Sequence, residues 1–293
     1  MTSSTLVPDR LNGIIRVLES GGTAFVRLTP GGAGAGFAAV NSPYDGVIFE
    51  MEHNPFGTAE LRLTLQSMLD RREILEQGTI APAVTPLVRI PPNGSEMNQW
   101  IAKQALDCGV YGLVWPHVST VDEARNAVAS ARYPRPAGSV NFEPIGVRGD
   151  APNFAAKYWG LGRDDYYPRA DVWPLDPRGE LLTVIMCEDV AAIKNLPRIL
   201  EEVPGIGVVL IGEGDLSQEL GQPRQYEHPV VRSAMDEIRD VCLAHDVVVG
   251  HPHVTTKNVD RLVEEGYRFL AAAPVTSYDA IEMGRRAVAA AGH

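Results

Sequence analysis

Eight short apolar runs alternating with amphipathic stretches constrain this chain more than any other feature of its sequence. That alternation is the pattern of a mostly parallel sheet covered by helices. The runs are Thr23 to Leu28, Gly46 to Glu50, Val84 to Arg89, Gly112 to Trp115, Leu182 to Cys187, Val208 to Ile211, Val247 to Gly250 and Phe269 to Ala273. Eight strands in roughly 250 residues fit an α/β (β/α)8 TIM barrel better than a doubly wound sheet. No Pro/Gly/Ser-rich linker divides the chain, so residues 1–293 are expected to form a single barrel domain. Thr120-Val-Asp-Glu123 reads as a capping box for a helix that carries Val121, Ala124, Val128 and Ala131 on one face, and Leu61, Leu65, Met68 and Leu69 make a second stripe. Gly109 and Gly266 stand at two similar helix-to-strand junctions, each placed to supply a left-handed stop before an apolar run that ends at a proline, Pro116 or Pro274. The stretch from Tyr133 to Gly179 is rich in proline and holds Tyr158, Trp159, Tyr166, Tyr167 and Trp173. It is expected to be a long loop with one short helix near Asn153 to Tyr158, lying over the barrel mouth or at an oligomer contact.

Charge narrows the class of partner. Lys and Arg number 26 against 37 Asp and Glu, a net charge of −11, so nucleic-acid phosphates and anionic membranes are poor partners. An anionic substrate would need a local cationic patch. With 45% hydrophobic and 22% charged residues the chain can bury a sizeable core. Cys108, Cys187 and Cys242 are odd in number and far apart, which argues against a disulfide framework and for a reducing compartment. Met1 to Arg10 lacks the pattern of a secretory signal and no segment approaches the roughly 18 apolar residues of a membrane span, so the cytoplasm is the expected location.

In a barrel, chemistry sits at the carboxyl ends of the strands, and the residues that end the apolar runs are informative. The second run ends in Glu50-Met51-Glu52-His53, the third in Arg89, the fifth in Glu188-Asp189 and the sixth in Gly212-Glu213-Gly214-Asp215. Two carboxylates on adjacent strands, with an arginine and a histidine on two others, can bind a hard divalent cation and an oxyanion together. Each residue also has a plainer reading. Glu188-Asp189 can start the next helix, Asp215 can cap a short turn, and His53 can be an ordinary loop histidine. Arg89 would be costly at a strand end facing the axis without an anion to pair with. His117 ends the fourth run and is a candidate substrate contact. His251-Pro-His253 has the spacing of some zinc sites, but no further ligand pair supports it, which favours structural use. Gly31-Gly-Ala-Gly-Ala-Gly36 lacks the Gly-Lys-Ser/Thr end of a P-loop, and the Gly212 loop lacks the third glycine of a dinucleotide fingerprint.

Read in order, Asp45-Gly-Val-Ile-Phe-Glu-Met-Glu-His53, Pro86-Leu-Val-Arg-Ile-Pro-Pro-Asn93, Trp115-Pro-His-Val-Ser-Thr-Val-Asp-Glu-Ala124 and Gly212-Glu-Gly-Asp-Leu-Ser217 resemble the HpcH/HpaI aldolase family. These are class II, metal-dependent 2-oxo acid aldolases of the phosphoenolpyruvate/pyruvate barrel superfamily, and the likeness runs from about Leu11 to Ala290. The resemblance implies that Glu188 and Asp215 ligate Mg or Mn, with Co or Zn as substitutes. It implies that the amides of Gly214 and Asp215 receive a substrate carboxylate and that Arg89 stabilises an enolate oxygen. It further implies that His53, oriented by the carboxylate of Glu50, moves the proton of a 4-hydroxyl. The reaction so implied is reversible cleavage of a 4-hydroxy-2-oxo acid to pyruvate, or a related 2-oxo acid, plus an aldehyde. A citrate-lyase-like or malyl-CoA-like lyase or condensing enzyme is the alternative on the same barrel, with Arg132, Arg135 and Arg148 as a faint nucleotide path, and an inactive binding barrel is the third. No lysine ends a strand, which argues against a Schiff-base aldolase. Departures stand at Glu50 for the usual Asp, Met186 for a usual Gln, and Glu213-Gly214 for Pro-Ala, where Glu213 can be a third ligand, an extra base or a solvent-facing residue. By resemblance the oligomer is a hexamer, a trimer of dimers, with C-terminal helices from Ser277 to Ala291 exchanged between subunits.

Overall fold

The computed structural model describes residues 7–272 and 278–292. Among them the strands are β1 (Ala24–Pro30), β2 (Gly46–Glu50), β3 (Thr85–Arg89), β4 (Gly112–Trp115), β5 (Val172–Trp173), β6 (Leu181–Cys187), β7 (Val208–Ile211), β8 (Val248–His251) and β9 (Phe269–Ala271). Every pairing is parallel, in the order β4-β3-β2-β1-β9-β8-β7-β6, and β4 pairs with β6 to close the ring. This is a (β/α)8 TIM barrel with the two-residue β5 appended to β6. The strands are near-continuous Val, Ile, Leu and Phe because both faces are covered, by helices outside and by the opposing strands inside. Seven of the eight expected runs coincide with strands to within two residues. The eighth begins at Phe269 as expected, and its proposed end at Ala273 lies outside the described residues.

The capping box forms as expected: Thr120 caps Val121–Ala131, and Glu123 reaches back to its amide. Gly109 and Gly266 both take positive φ, 104° and 90°, as the stop at each junction requires. The stripe through Leu61 and Leu65 breaks sooner than expected. Its helix ends at Ser67, and Leu69 is exposed because Asp70 caps a new helix, Arg71–Gln77.

The long stretch from Tyr133 to Gly179 corrects a larger expectation. It contains the expected helix Asn153–Tyr158, a second helix Arg163–Arg169, and β5. It does not cover the mouth of the barrel. Trp159 Nε1 donates to the carbonyl of Gly109, which precedes β4; β5 pairs with the first residues of β6; and Arg169 bonds the carbonyl of Asp9. All three contacts lie at the amino ends of the strands. The reason is topological: the stretch follows a helix rather than a strand, and helices return the chain to the amino-terminal face. The helix Gly13–Glu19 closes the same end, its Gly13 amide donating to Thr85 Oγ1 at 2.8 Å. No contact of this stretch or of that helix named above lies at the carboxyl-terminal mouth.

Candidate active site

Strand register alone gathers much of the site. Glu50 at the end of β2 is in register with Arg89 at the end of β3, and Cys187 with Ile211, so Glu188 and Gly212 leave the barrel side by side. Arg89 is nearly buried and held by two acids, Nε to Glu50 Oε1 at 3.3 Å and Nη1 to Glu52 Oε2 at 3.1 Å; Met186 Sδ lies 3.8 Å from Nη1.

Glu50 does not orient the His53 ring, contrary to expectation. Its Oε1 accepts the backbone amides of Glu52 at 2.7 Å and His53 at 3.2 Å, and its Oε2 accepts Asn54 Nδ2 at 2.7 Å. The longer arm of Glu, compared with Asp, folds back to cap the loop. Burial would raise the Glu50 carboxyl, but Arg89 and these donors hold it below the usual range. The acid beside the His53 ring is Glu52, 3.5 Å from Nε2, and the ring itself is 68% exposed. Glu52 is a site residue that the sequence reading did not single out; its only sequence signal was its place two residues past a strand end.

Glu188 is 2% exposed and sits against Gly212, where a Cβ would fall on its side chain. Its Oε1 accepts the backbone amide of His117 at 2.6 Å. His117 holds a left-handed conformation, φ 49°, that side-chain-bearing residues seldom adopt, and the amide of Gly94 binds the carbonyls of Pro116 and His117 to fix that loop. Burial pushes the Glu188 carboxyl up to about 8, and the nearby charges of Glu52 and Asp215 add to the effect. Asp189 does take the plainer role, capping the helix Val190–Glu202 through Ala192. Glu188 does not, because it turns inward. One ligand atom each from His117, Glu188 and Asp215 lies within 4.8 Å of the others. Two carboxylates and an imidazole, one acid buried at a cost that a cation would offset, are a donor set that fits a divalent metal.

Glu213 is neither solvent-facing nor part of that cluster. It is 1% exposed and lies between His253, whose Nδ1 shares a short hydrogen bond with Oε1, and His251, whose Nε2 is 3.6 Å from Oε2. Burial drives His251 down to about 3, so it is neutral. His251-Pro-His253 thus serves Glu213 rather than zinc. Glu213 and His253 line one cleft of about 480 Å³ with Leu28, His53, Arg89, Glu188 and Asp215. A larger cavity of about 650 Å³ lies at the opposite face, walled by Tyr133, Arg135, Arg148 and Tyr167. Of the arginines suggested as a nucleotide path, Arg135 and Arg148 line it and Arg132 is buried: Arg132 and Arg135 pair with Asp171 and Arg148 Nη2 with Asp107, while Arg148 Nε and Nη1 are buried without a hydrogen-bond partner among the described residues. They offer no path to the mouth.

A sequence model of the HpcH/HpaI aldolase/citrate lyase group matches residues 37–277. A 2-keto-3-deoxy-L-rhamnonate aldolase of Klebsiella pneumoniae is 34% identical over 201 residues, which is 68% of this chain and 62% of that protein, so the match spans less than two thirds of that relative. A hydroxypyruvate/pyruvate aldolase of Paraburkholderia phytofirmans is 26% identical over 84% of each chain. A solved HpcH/HpaI aldolase/citrate lyase family structure from Burkholderia cenocepacia superposes with a TM-score of 0.72 at 25% identity, covering 96% of this chain and 98% of the other.

Proposed function

This chain belongs to the HpcH/HpaI aldolase/citrate lyase family, and from that premise we propose that it is a metal-dependent carbon–carbon lyase. Its reaction is the reversible cleavage of a 4-hydroxy-2-oxo acid to pyruvate, or a related 2-oxo acid, and an aldehyde. The observation that carries this reading is the buried Glu188 with Asp215 and His117 beside it, two strand pairings round the barrel from Arg89. The names of the two aldolase relatives support it.

Glu188 and Asp215 would hold Mg or Mn, with Co or Zn as substitutes. The bound cation would supply Lewis acidity to the carboxylate and 2-oxo oxygens of the substrate. The amides of Gly214 and Asp215, in the first turn of Glu213–Glu219 where no helical acceptor is available, would take the carboxylate. Arg89 neutralises the charge that develops on the 2-oxo oxygen as the bond between carbons 3 and 4 breaks. Glu50 and Glu52 hold its guanidinium in place, so little reorganisation is needed at the moment of reaction. His117 contacts the substrate from the β4 side. His53, beside Glu52, is a proton carrier for the 4-hydroxyl.

The enzyme would act in the cytoplasm as a hexamer arranged as a trimer of dimers; no helix among the described residues is long and apolar enough to cross a membrane. The test is pyruvate methyl-proton exchange in D2O, followed by NMR, for protein stripped of metal, protein with Mg or Mn, and the Asp215→Ala variant. Exchange that depends on metal and vanishes in the variant is the expected result. No exchange with any metal would sink the pyruvate reading.

A further inference from the structure

The cleft at the carboxyl ends of the strands takes no wall residue from the long connection between Tyr133 and Gly179. That connection builds a space of its own, the cavity of about 650 Å³ at the opposite face, whose whole wall lies between Tyr133 and Arg178. Connections of this length are uncommon in a compact domain unless they serve a function. A space of this size suits a small organic ligand.

The wall has donors to spare. Its charged residues are Arg135, Arg148, Arg178, Asp150 and Asp171. Both acids are engaged, Asp171 by Arg132 and Arg135, and Asp150 by the Tyr167 hydroxyl. Arg135, in contrast, donates only through Nη2 among the described residues, to Asp171 and to Asp176. Arg148 is 1% exposed, and its Nη2 bonds Asp107 Oδ1 and the Tyr166 hydroxyl, each at 2.9 Å. Five buried side-chain polar atoms lack a hydrogen-bond partner among the described residues, and three of them belong to this wall: Arg148 Nε, Arg148 Nη1 and the Tyr133 hydroxyl. Buried groups left in this way are rare and costly, most of all on a cation. A ligand with acceptor oxygens supplies what they lack. The remainder of the wall is flat and apolar. Tyr133 and Tyr167 meet edge to face with centroids 5.3 Å apart, and Pro134 and Pro168 flank them.

We propose that this cavity is a second ligand site, for a small aromatic carboxylate, with Arg135 and Arg148 taking the carboxylate and the two tyrosines holding the ring. Arg135 is 26% exposed and makes the first contact. Arg148 lies behind Tyr133, its Cζ 4.6 Å from the centre of that ring. Tyr133, whose hydroxyl no hydrogen bond holds, is the side chain that gives way so that the carboxylate reaches Nε or Nη1. The aromatic body then packs on Tyr167 and the prolines. The ligand is bound there and not turned over, since no residue of the His117, Glu188 and Asp215 cluster enters the wall.

The experiment is calorimetric titration of the Mn-loaded full chain with 2-naphthoate and with 2-naphthamide, which has the same rings and no charge. Wild-type protein is expected to bind the acid saturably at millimolar concentration or below, and the amide more weakly by roughly 10-fold or more, the loss of one charge-assisted contact. Arg135→Gln should remove that preference by weakening the acid and leaving the amide as it was. Arg148→Lys keeps the buried charge but not the donors of a guanidinium, and the folded variant should show the same loss. Asp215→Ala should bind the acid as wild type does. No saturable uptake of the acid, equal binding of acid and amide, or a preference retained in R135Q would each overturn the proposal. Acid and amide weakened together in R135Q would make Arg135 a structural residue and overturn its role. Loss of the acid in D215A would put the anion at the candidate metal site instead.

Discussion

Glu188 shows how a residue can be both a burden to the fold and the reason for the site. In metal-free protein its carboxyl is raised from an ordinary 4.5 to about 8. A group raised in this way contributes stability that is fully present below about pH 4.5 and is lost as the pH climbs through 8. Metal-free protein is therefore expected to lose Tm between pH 6 and 9, with Mn restoring more at pH 9 than at pH 6. Glu188→Gln keeps the shape and removes the charge, so its metal-free Tm should fall less over the same range while Mn binding is lost. A variant that tracks the wild-type pH profile would show that another group sets it. Arg89→Lys tests the other half of the site. Lysine cannot reproduce a guanidinium held by two carboxylates, and pyruvate exchange should fall roughly 10²- to 10³-fold with Mn affinity nearly unchanged. Glu188, Asp215 and Arg89 could be found in the sequence because each ends an apolar run. Glu52, whose partner Arg89 comes from the next strand, and the partnership of Glu213 with His253, 40 positions further on, could not, because both depend on distant segments folding back to one rim.

At the scale of elements, short loops place side chains that the strands only aim. Gly212 is the clearest case, since a Cβ there would overlap Glu188. Gly212→Ala is expected to cost about 1–3 kcal/mol in stability and to weaken Mn binding by displacing that carboxylate; unchanged affinity would mean the loop yields instead. The long stretch after the helix Val121–Ala131 illustrates what sequence periodicity does not carry. Its helix at Asn153–Tyr158 was legible, yet nothing local says which end of a barrel a connection covers; the preceding helix does. Its anchor is Arg132, fully buried, bonded to Asp171 and to the carbonyls of Asn141 and Pro144. Arg132→Ala leaves Asp171 short of a partner and should cost about 3–5 kcal/mol. Because the stretch packs at the amino-terminal end, Mn affinity of the folded variant should match wild type. Impaired Mn binding in folded R132A would couple the two faces.

For the whole molecule, the surface argues for neighbours. Phe37, Leu63, Leu75 and Trp100 are exposed on four helices that follow β1, β2 and β3, and the first two of those helices pack together. Exposed large apolar side chains on neighbouring helices are what a subunit contact would cover. The helix Asp279–Ala290 docks on its own barrel, with Ile281 buried and Gly284 close against the Phe25 ring. Its proposed exchange between subunits turns on a connection whose start, Ser277, lies outside the described residues. The two features make separable predictions. Light scattering on the purified protein should give about six times 31.8 kDa, and Trp100→Glu or Leu63→Glu should lower that mass without lowering helix content, because neither side chain supports its own barrel. If the mass holds in both variants while Ile281→Asp breaks it, the contact runs through the C-terminal helix, as an exchanged arrangement requires. A monomer at micromolar concentration would leave these apolar side chains without a subunit to cover them and would rule the hexamer out.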